Sequence, residues 1–113
     1  MIAMGIRQIV DEHAVSELKL YIDNTGEFYP QKQLIVEMLA KKVAKGKYDP
    51  KKAPLAFKYL VERGVKQYGP EILRESSAAS MRMFPPPVRR AVAEEMARQA
   101  EGGMALPPGT TRG

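Results

Sequence analysis

Apolar residues recur along the chain at helical spacing, and Gly and Pro divide them into four predicted helices. The third helix, predicted over 50–68, has the most regular pattern, with apolar or small residues at i, i+3, i+4, i+7, i+8 and i+11. These positions are Phe57, Leu60, Val61, Gly64, Val65 and Tyr68. Asp49-Pro50 supplies an N-cap and a first-turn proline. We expect Phe57, Leu60, Val61 and Val65 at the centre of the core.

The first helix is predicted over 6–23 from three apolar residues at helical spacing: Val15, Leu18 and Ile22. Alternate residues of 18–22 are also apolar, as in a strand. The turn at 24–26 could then lead into a second strand over 27–29. We favour the helix, because that second strand would hold only three residues before Pro30.

The second helix is predicted over 30–45, beginning at Pro30 and ending at Gly46, a residue typical of helix ends. Its predicted buried stripe comprises Leu34, Ile35, Met38, Leu39 and Val43. Residues 76–80 are small and polar and are predicted to form a loop. The last helix is predicted over 87–101, and its apolar positions are Val88, Val92 and Met96.

These elements predict an all-α fold, a compact bundle of about four helices with short Gly/Pro turns. Residues 1–103 are expected to form a single helical domain, and 104–113 a flexible Pro/Gly tail. The composition is that of a globular domain, with 44% hydrophobic and 27% charged residues in a chain of 113. The absence of Cys favours a reducing compartment, and nothing resembles a signal peptide or a membrane span, so a cytoplasmic location is expected.

Catalytic chemistry has little support in this sequence. His13 is the only histidine, which makes a poor metal site in a chain without Cys. The adjacent carboxylates at 11–12 and 94–95 point in different directions on a helix, so neither pair suits acid/base catalysis. We expect no enzyme activity, no metal, no cofactor and no small-molecule substrate.

Lysine is concentrated in one short segment of a chain whose net charge is +5. Six lysines surround the junction of the second and third predicted helices: Lys41, Lys42, Lys45, Lys47, Lys51 and Lys52. Cations stabilise the C-terminus of a helix, but Lys51 and Lys52 are expected in the first turn of the third helix, where the dipole opposes them. With the free N–H groups of that turn, they predict an anion site for nucleic-acid phosphates or an acidic protein surface.

A second candidate surface is the short apolar patch that follows the predicted loop. The patch at 81–84 is expected to pack against the core, but Met81, Met83 and Phe84 could instead be exposed and form a protein interface. In this alternative the chain is a protein–protein interaction module, which inhibits a host protein or belongs to a larger assembly.

The order of motifs from Leu20 to Ala93 resembles a group of small uncharacterised proteins encoded by bacteriophages and prophages. Its most specific part is the Gly-x-Tyr-Asp turn at 46–49, followed by the Phe-x-Tyr-Leu-Val segment at 57–61. The resemblance implies a viral or mobile-element origin, a non-enzymatic accessory role and a place in the host cytoplasm or the virion. It implies no catalytic residues. Nonspecific binding of nucleic acid through the lysines is the first hypothesis for function.

Overall fold

A computed structural model describes residues 10–104, which fold into five α-helices without a β-strand in that range. A 3₁₀ turn, Gly26–Phe28, precedes the second helix, and a π turn, Gly69–Leu73, follows the third. The helices are α1 Glu12–Asn24, α2 Tyr29–Ala44, α3 Ala53–Tyr68, α4 Ser77–Met83 and α5 Pro86–Gly102. The all-α prediction is confirmed, with one helix more than the sequence indicated. None of the described helices is long and apolar enough to cross a membrane.

The first helix begins at Glu12 because Asp11 caps it. The Asp11 carboxylate accepts hydrogen bonds from the backbone N–H groups of His13 and Ala14, at 3.0 and 3.2 Å. The helix continues to Asn24, so the helical interpretation of 18–24 is confirmed and the hairpin alternative is wrong. Residues 6–9 of the predicted helix lie outside the described residues.

The third helix begins at Ala53, three residues later than predicted. Pro54 explains the shift, because proline has no N–H to donate and is tolerated only in the first turn. Starting at Ala53 places Pro54 at the second helical position. The preceding residues form a turn around Asp49, whose carbonyl accepts hydrogen bonds from Lys52 and Ala53.

The core is built around α3, which packs against each of the other four helices and most extensively against α5. Its predicted central residues, Phe57, Leu60, Val61 and Val65, are fully buried, which confirms that prediction. Gly64 also lies in this stripe. A β-carbon there would lie 2.7 Å from Cγ1 of Ile22, so the glycine allows α1 and α3 to approach closely.

The predicted buried stripe of α2 is wrong at two positions. Leu39 is buried, but Leu34 is 66% exposed and Met38 is 43% exposed. The reason is that α2 packs mainly against one helix, α3, and against the short 3₁₀ turn. These neighbours cover only a narrow row of its side chains. The helix therefore presents apolar side chains on its outer face.

The predicted loop at 76–80 is also wrong, since most of it belongs to α4. The Ser77 hydroxyl donates a hydrogen bond to the carbonyl of Lys66, and the buried Ser80 hydroxyl contacts the carbonyl of Val65. These hydroxyls tie α4 to the end of α3 in place of large apolar side chains. Of the predicted tail, Met104 packs against the core, and residues 105–113 lie outside the described residues.

Candidate functional site

The lysine-rich segment that joins α2 to α3, residues 41–52, is called the lysine tip below. It begins in the last turn of α2, which ends before Gly46 as predicted, and the end has the hydrogen bonds of a Schellman motif. Gly46 has a φ of +71°, its N–H donates to the carbonyl of Val43 at 3.0 Å, and the N–H of Lys47 donates to the carbonyl of Lys42 at 2.8 Å. A left-handed residue is needed at this position, so the glycine fixes the direction of the chain between Lys45 and Lys47.

The second half of the lysine tip is held by two polar side chains. The Tyr48 hydroxyl donates a hydrogen bond of 2.6 Å to the carboxylate of Glu101, near the end of α5. The Asp49 carboxylate accepts one of 2.9 Å from the backbone N–H of Lys51. Tyr48 covers the junction of the helices here, because its half-buried side chain packs against the core. The backbone that carries the lysines is therefore anchored at several points.

All six predicted lysines are exposed. Lys41 and Lys42 lie in the last turn of α2, Lys45 is its C-cap, and Lys52 is the N-cap of α3. Within residues 10–104, no carboxylate lies within ion-pair distance of any of the six amines. Against these six lysines the tip holds a single carboxylate, Asp49, which also lines the cleft between α2 and α3, so the tip keeps a net positive charge.

Three of the lysines line one cleft. Lys42, Lys47 and Lys52 surround an open space of about 560 Å³ between α2 and α3, whereas Lys41, Lys45 and Lys51 lie outside its lining. The cleft also has apolar walls, to which Met38 and Leu55 contribute. The sequence pattern did not single out these walls, because Met38 belongs to the predicted buried stripe of the second helix and Leu55 lies outside the predicted buried stripe of the third.

The expectation from the sequence that free backbone N–H groups at the start of the third helix help to bind an anion is wrong. Lys51 and Lys52 precede the helix rather than occupy its first turn. The N–H groups that would face an anion are already bonded: those of Lys52 and Ala53 to Asp49, and that of Leu55 to Lys52. Pro54 has none. Only the lysine side chains remain as donors here.

The other predicted interface is largely absent from the surface. Phe84 is 0% exposed, so the expected packing of the patch against the core is confirmed at this residue, and the exposure that the interface alternative required is wrong. Its ring packs edge-on against Tyr68, with centroids 4.9 Å apart. Met81 is half-buried beside Arg89, whose Nη1 lies 3.3 Å from the Met81 sulfur. Of the three residues, only Met83, at 38% exposure, offers much surface to a partner.

The histidine and the acidic pairs considered in the sequence lie at the surface or take part in helix capping and ion pairing. His13 is exposed in the first turn of α1, Asp11 caps that helix, and Glu95 pairs with Arg98 at 2.7 Å. Over residues 10–104, no three potential ligands group closely enough to hold a metal ion. The lysine tip and its cleft therefore form the main candidate site in the described part of the chain.

Comparisons of the chain with family models, with curated proteins and with solved structures give no match. The resemblance to phage-encoded proteins remains a hypothesis from the sequence. Any functional proposal must therefore rest on the geometry and charge of the lysine tip.

Proposed function

We propose that this chain is a small, non-enzymatic accessory protein of phage type that binds the phosphates of nucleic acid through the lysine tip. One observation carries the proposal: six exposed lysines on an anchored backbone, with no ion pair to a described carboxylate. Binding an anion there breaks no described ion pair. Phosphate contacts of this kind supply most of the affinity of nonspecific nucleic-acid binding.

The chemistry of the cations favours phosphates over a protein surface. Every cation of the lysine tip is Lys, and none is Arg. Lys is depleted at protein–protein interfaces, whereas Arg is enriched there and grips carboxylates with two parallel hydrogen bonds. A row of point charges on flexible side chains suits a repeating backbone of phosphates.

Fold stability does not account for the position of Lys52. As the N-cap of α3, it lies at the positive end of the helix dipole, which opposes a cation by about 0.3–1 kcal/mol. Lys41 and Lys42, by contrast, lie in the last turn of α2, where the helix dipole stabilises a cation. Contact with an anionic ligand would explain a lysine at this position, whereas the local structure does not explain Lys52.

The proposal is tested by measuring affinity for a fluorescent 30-base-pair duplex from about 50 to 200 mM salt. Each lost phosphate contact lowers the slope of log affinity against log salt by about 0.9. Replacing Lys42, Lys47 and Lys52 by Gln should therefore lower the slope by about 2.7. The control replaces Lys66, Arg74 and Arg82 by Gln, which removes the same charge far from the tip in sequence. Equal slopes for the two variants, or no binding by the wild type, would refute the proposal.

A second candidate function is the protein–protein interaction module, either an inhibitor of a host protein or a component of a phage assembly. The exposed apolar residues on α2, Leu34 and Met38, favour it. This candidate takes first place if the wild-type protein binds no nucleic acid.

A further inference from the structure

We propose that the nucleic acid is single-stranded, and that its unpaired bases pack on Leu55 and Tyr59 of α3 while its phosphates contact the flanking cations. The inference rests on the proposed function, since it needs the lysine tip to bind phosphates. Leu55 and Tyr59 are called the apolar ridge below.

The apolar ridge is formed by two large side chains that the fold leaves uncovered. Leu55 is 67% exposed and Tyr59 is 68% exposed, although α3 is the central helix of the core. They are four residues apart, so they are neighbours on the helix surface. Tyr59 makes no hydrogen bond and no ring contact with any residue from 10 to 104. Its ring is available to a ligand.

Cations lie on both sides of Leu55, one end of the apolar ridge. Leu55 borders the cleft that contains Lys42, Lys47 and Lys52. It also borders a second groove, of about 360 Å³ between α3 and α5, whose lining includes Lys58 and Arg90. The acidic residue of that groove, Glu62, is paired with Arg89 at 3.1 Å, so it does not neutralise Lys58 or Arg90.

This arrangement suits a single strand better than a duplex. A duplex keeps its bases stacked inside and presents phosphates, which gain nothing from an exposed Leu or Tyr. A single strand presents the apolar faces of its bases beside its phosphates. Stacking of a base on an aromatic side chain contributes about 5- to 150-fold in affinity and tolerates any base. The positive charge beside the ridge supplies the complementary attraction for the strand's backbone.

The test compares binding of a 30-nucleotide oligodeoxythymidine, which does not pair with itself, with binding of a 30-base-pair duplex, both at about 50 mM salt. We expect the wild type to prefer the single strand. Tyr59→Ser should weaken single-strand binding by at least about fivefold and change duplex binding by less than about twofold. Leu55→Ser should act in the same direction. Leu20→Ser is the control, because Leu20 is also exposed but lies on α1.

The outcomes separate this inference from the proposed function. Equal affinity for both nucleic acids, with no effect of Tyr59→Ser on either, overturns the single-strand inference and leaves phosphate binding by the lysine tip intact. Absence of binding to both nucleic acids overturns the proposed function together with the inference, and an acidic protein then becomes the expected partner. Circular dichroism of each variant checks that the helical fold is retained.

Discussion

The side-chain hydroxyl of Ser77 donates a hydrogen bond of 2.8 Å to the carbonyl oxygen of Lys66, the carbonyl for which Pro70 has no N–H to offer. Pro70 interrupts the hydrogen-bond ladder of α3, and the chain continues through the π turn to α4. The small residues of α4 then allow it to lie directly against the end of α3. The junction of α3 and α4 therefore depends on hydrogen bonds from serine hydroxyls and on small side chains that let the two helices lie close together.

Gly69→Ala should destabilise the fold, because the new methyl group would collide with α4. A β-carbon at this position would overlap the carbonyl oxygen of Ser76, the N-cap of α4, and would lie 2.9 Å from Oγ of Ser80. The first of these is a backbone atom, so α4 itself must move. We expect a loss of about 1–3 kcal/mol in the free energy of unfolding, measured in urea. The control is Gly102→Ala, where the same methyl group meets nothing within 4 Å. A neutral Gly69→Ala would show that α4 is not held against Gly69.

Ser80→Ala should also destabilise the fold, since Ser80 is the buried polar side chain of α4. Its hydroxyl can donate to the carbonyl of Val65 or of Ser77, and alanine can donate to neither. Loss of a buried hydrogen bond costs about 1–3 kcal/mol when the partner stays unsatisfied. Ser16→Ala is a suitable control, because Ser16 is exposed on α1. An equal effect of the two substitutions on the urea midpoint would contradict this role for Ser80.

The parts of the fold that the sequence predicted correctly depend on local patterns, and the parts it missed depend on distant contacts. The helical spacing of apolar residues such as Phe57 and Leu60 indicates a buried helix face, and this inference does not require knowing which element packs against that face. The helix α4 has no such period, and its hydroxyls gain their partners only when α3 lies beside it. For α2, the pattern identified an apolar face but could not show that a single neighbouring helix leaves Leu34 exposed.

In the candidate site, too, the features set by local patterns could be predicted and those set by distant contacts could not. The lysine tip could be located from the sequence because Gly46 ends one helix and Asp49 organises the turn before the next, both by local hydrogen bonds. The predicted contribution of backbone N–H groups failed because Pro54 moves the start of α3. The cleft and the apolar ridge could not be predicted, since Leu55 acquires its surroundings from both α2 and α5.

Leu60→Ala and Leu55→Ala remove the same atoms from the same helix and should have very different effects. Leu60 is fully buried, so its truncation leaves a cavity and should cost about 2–5 kcal/mol in unfolding free energy. Leu55 is mostly exposed, and its truncation should cost less than about 0.5 kcal/mol. Urea unfolding of the two variants measures both values. Similar costs would mean that the apolar ridge is part of the core rather than free surface.

Asp23 joins α1 to α2 and should make stability depend on pH in the acidic range. Its carboxylate is 2.8 Å from the amine of Lys19 on α1 and 2.9 Å from that of Lys32 on α2. Partial burial by itself would raise the pKa of Asp23, but the hydrogen bonds and positive charges of the two lysines outweigh it, so the net pKa is lowered. The carboxylate therefore binds its proton less readily in the folded chain than in the unfolded chain.

The direction of the pH effect follows from this shift. Because the pKa is lower in the folded state, the stabilisation is fully present above the unfolded value of about 3.9 and disappears as the pH falls through the folded pKa.

Asp23→Asn removes this stabilisation, so we expect the variant to be less stable than wild type at pH 7 by about 0.2–1 kcal/mol per ion pair. The difference should shrink as the pH falls below the unfolded value and wild-type Asp23 becomes protonated. Urea midpoints of both proteins between about pH 2.5 and 7, a range that spans the unfolded pKa of Asp, provide the measurement. Glu37→Gln, which removes an exposed carboxylate of α2 that forms no ion pair within the described residues, controls for the change in net charge. A difference that stays constant across this range would mean that Asp23 acts through packing or helix capping, and that the contact between α1 and α2 does not depend on its charge.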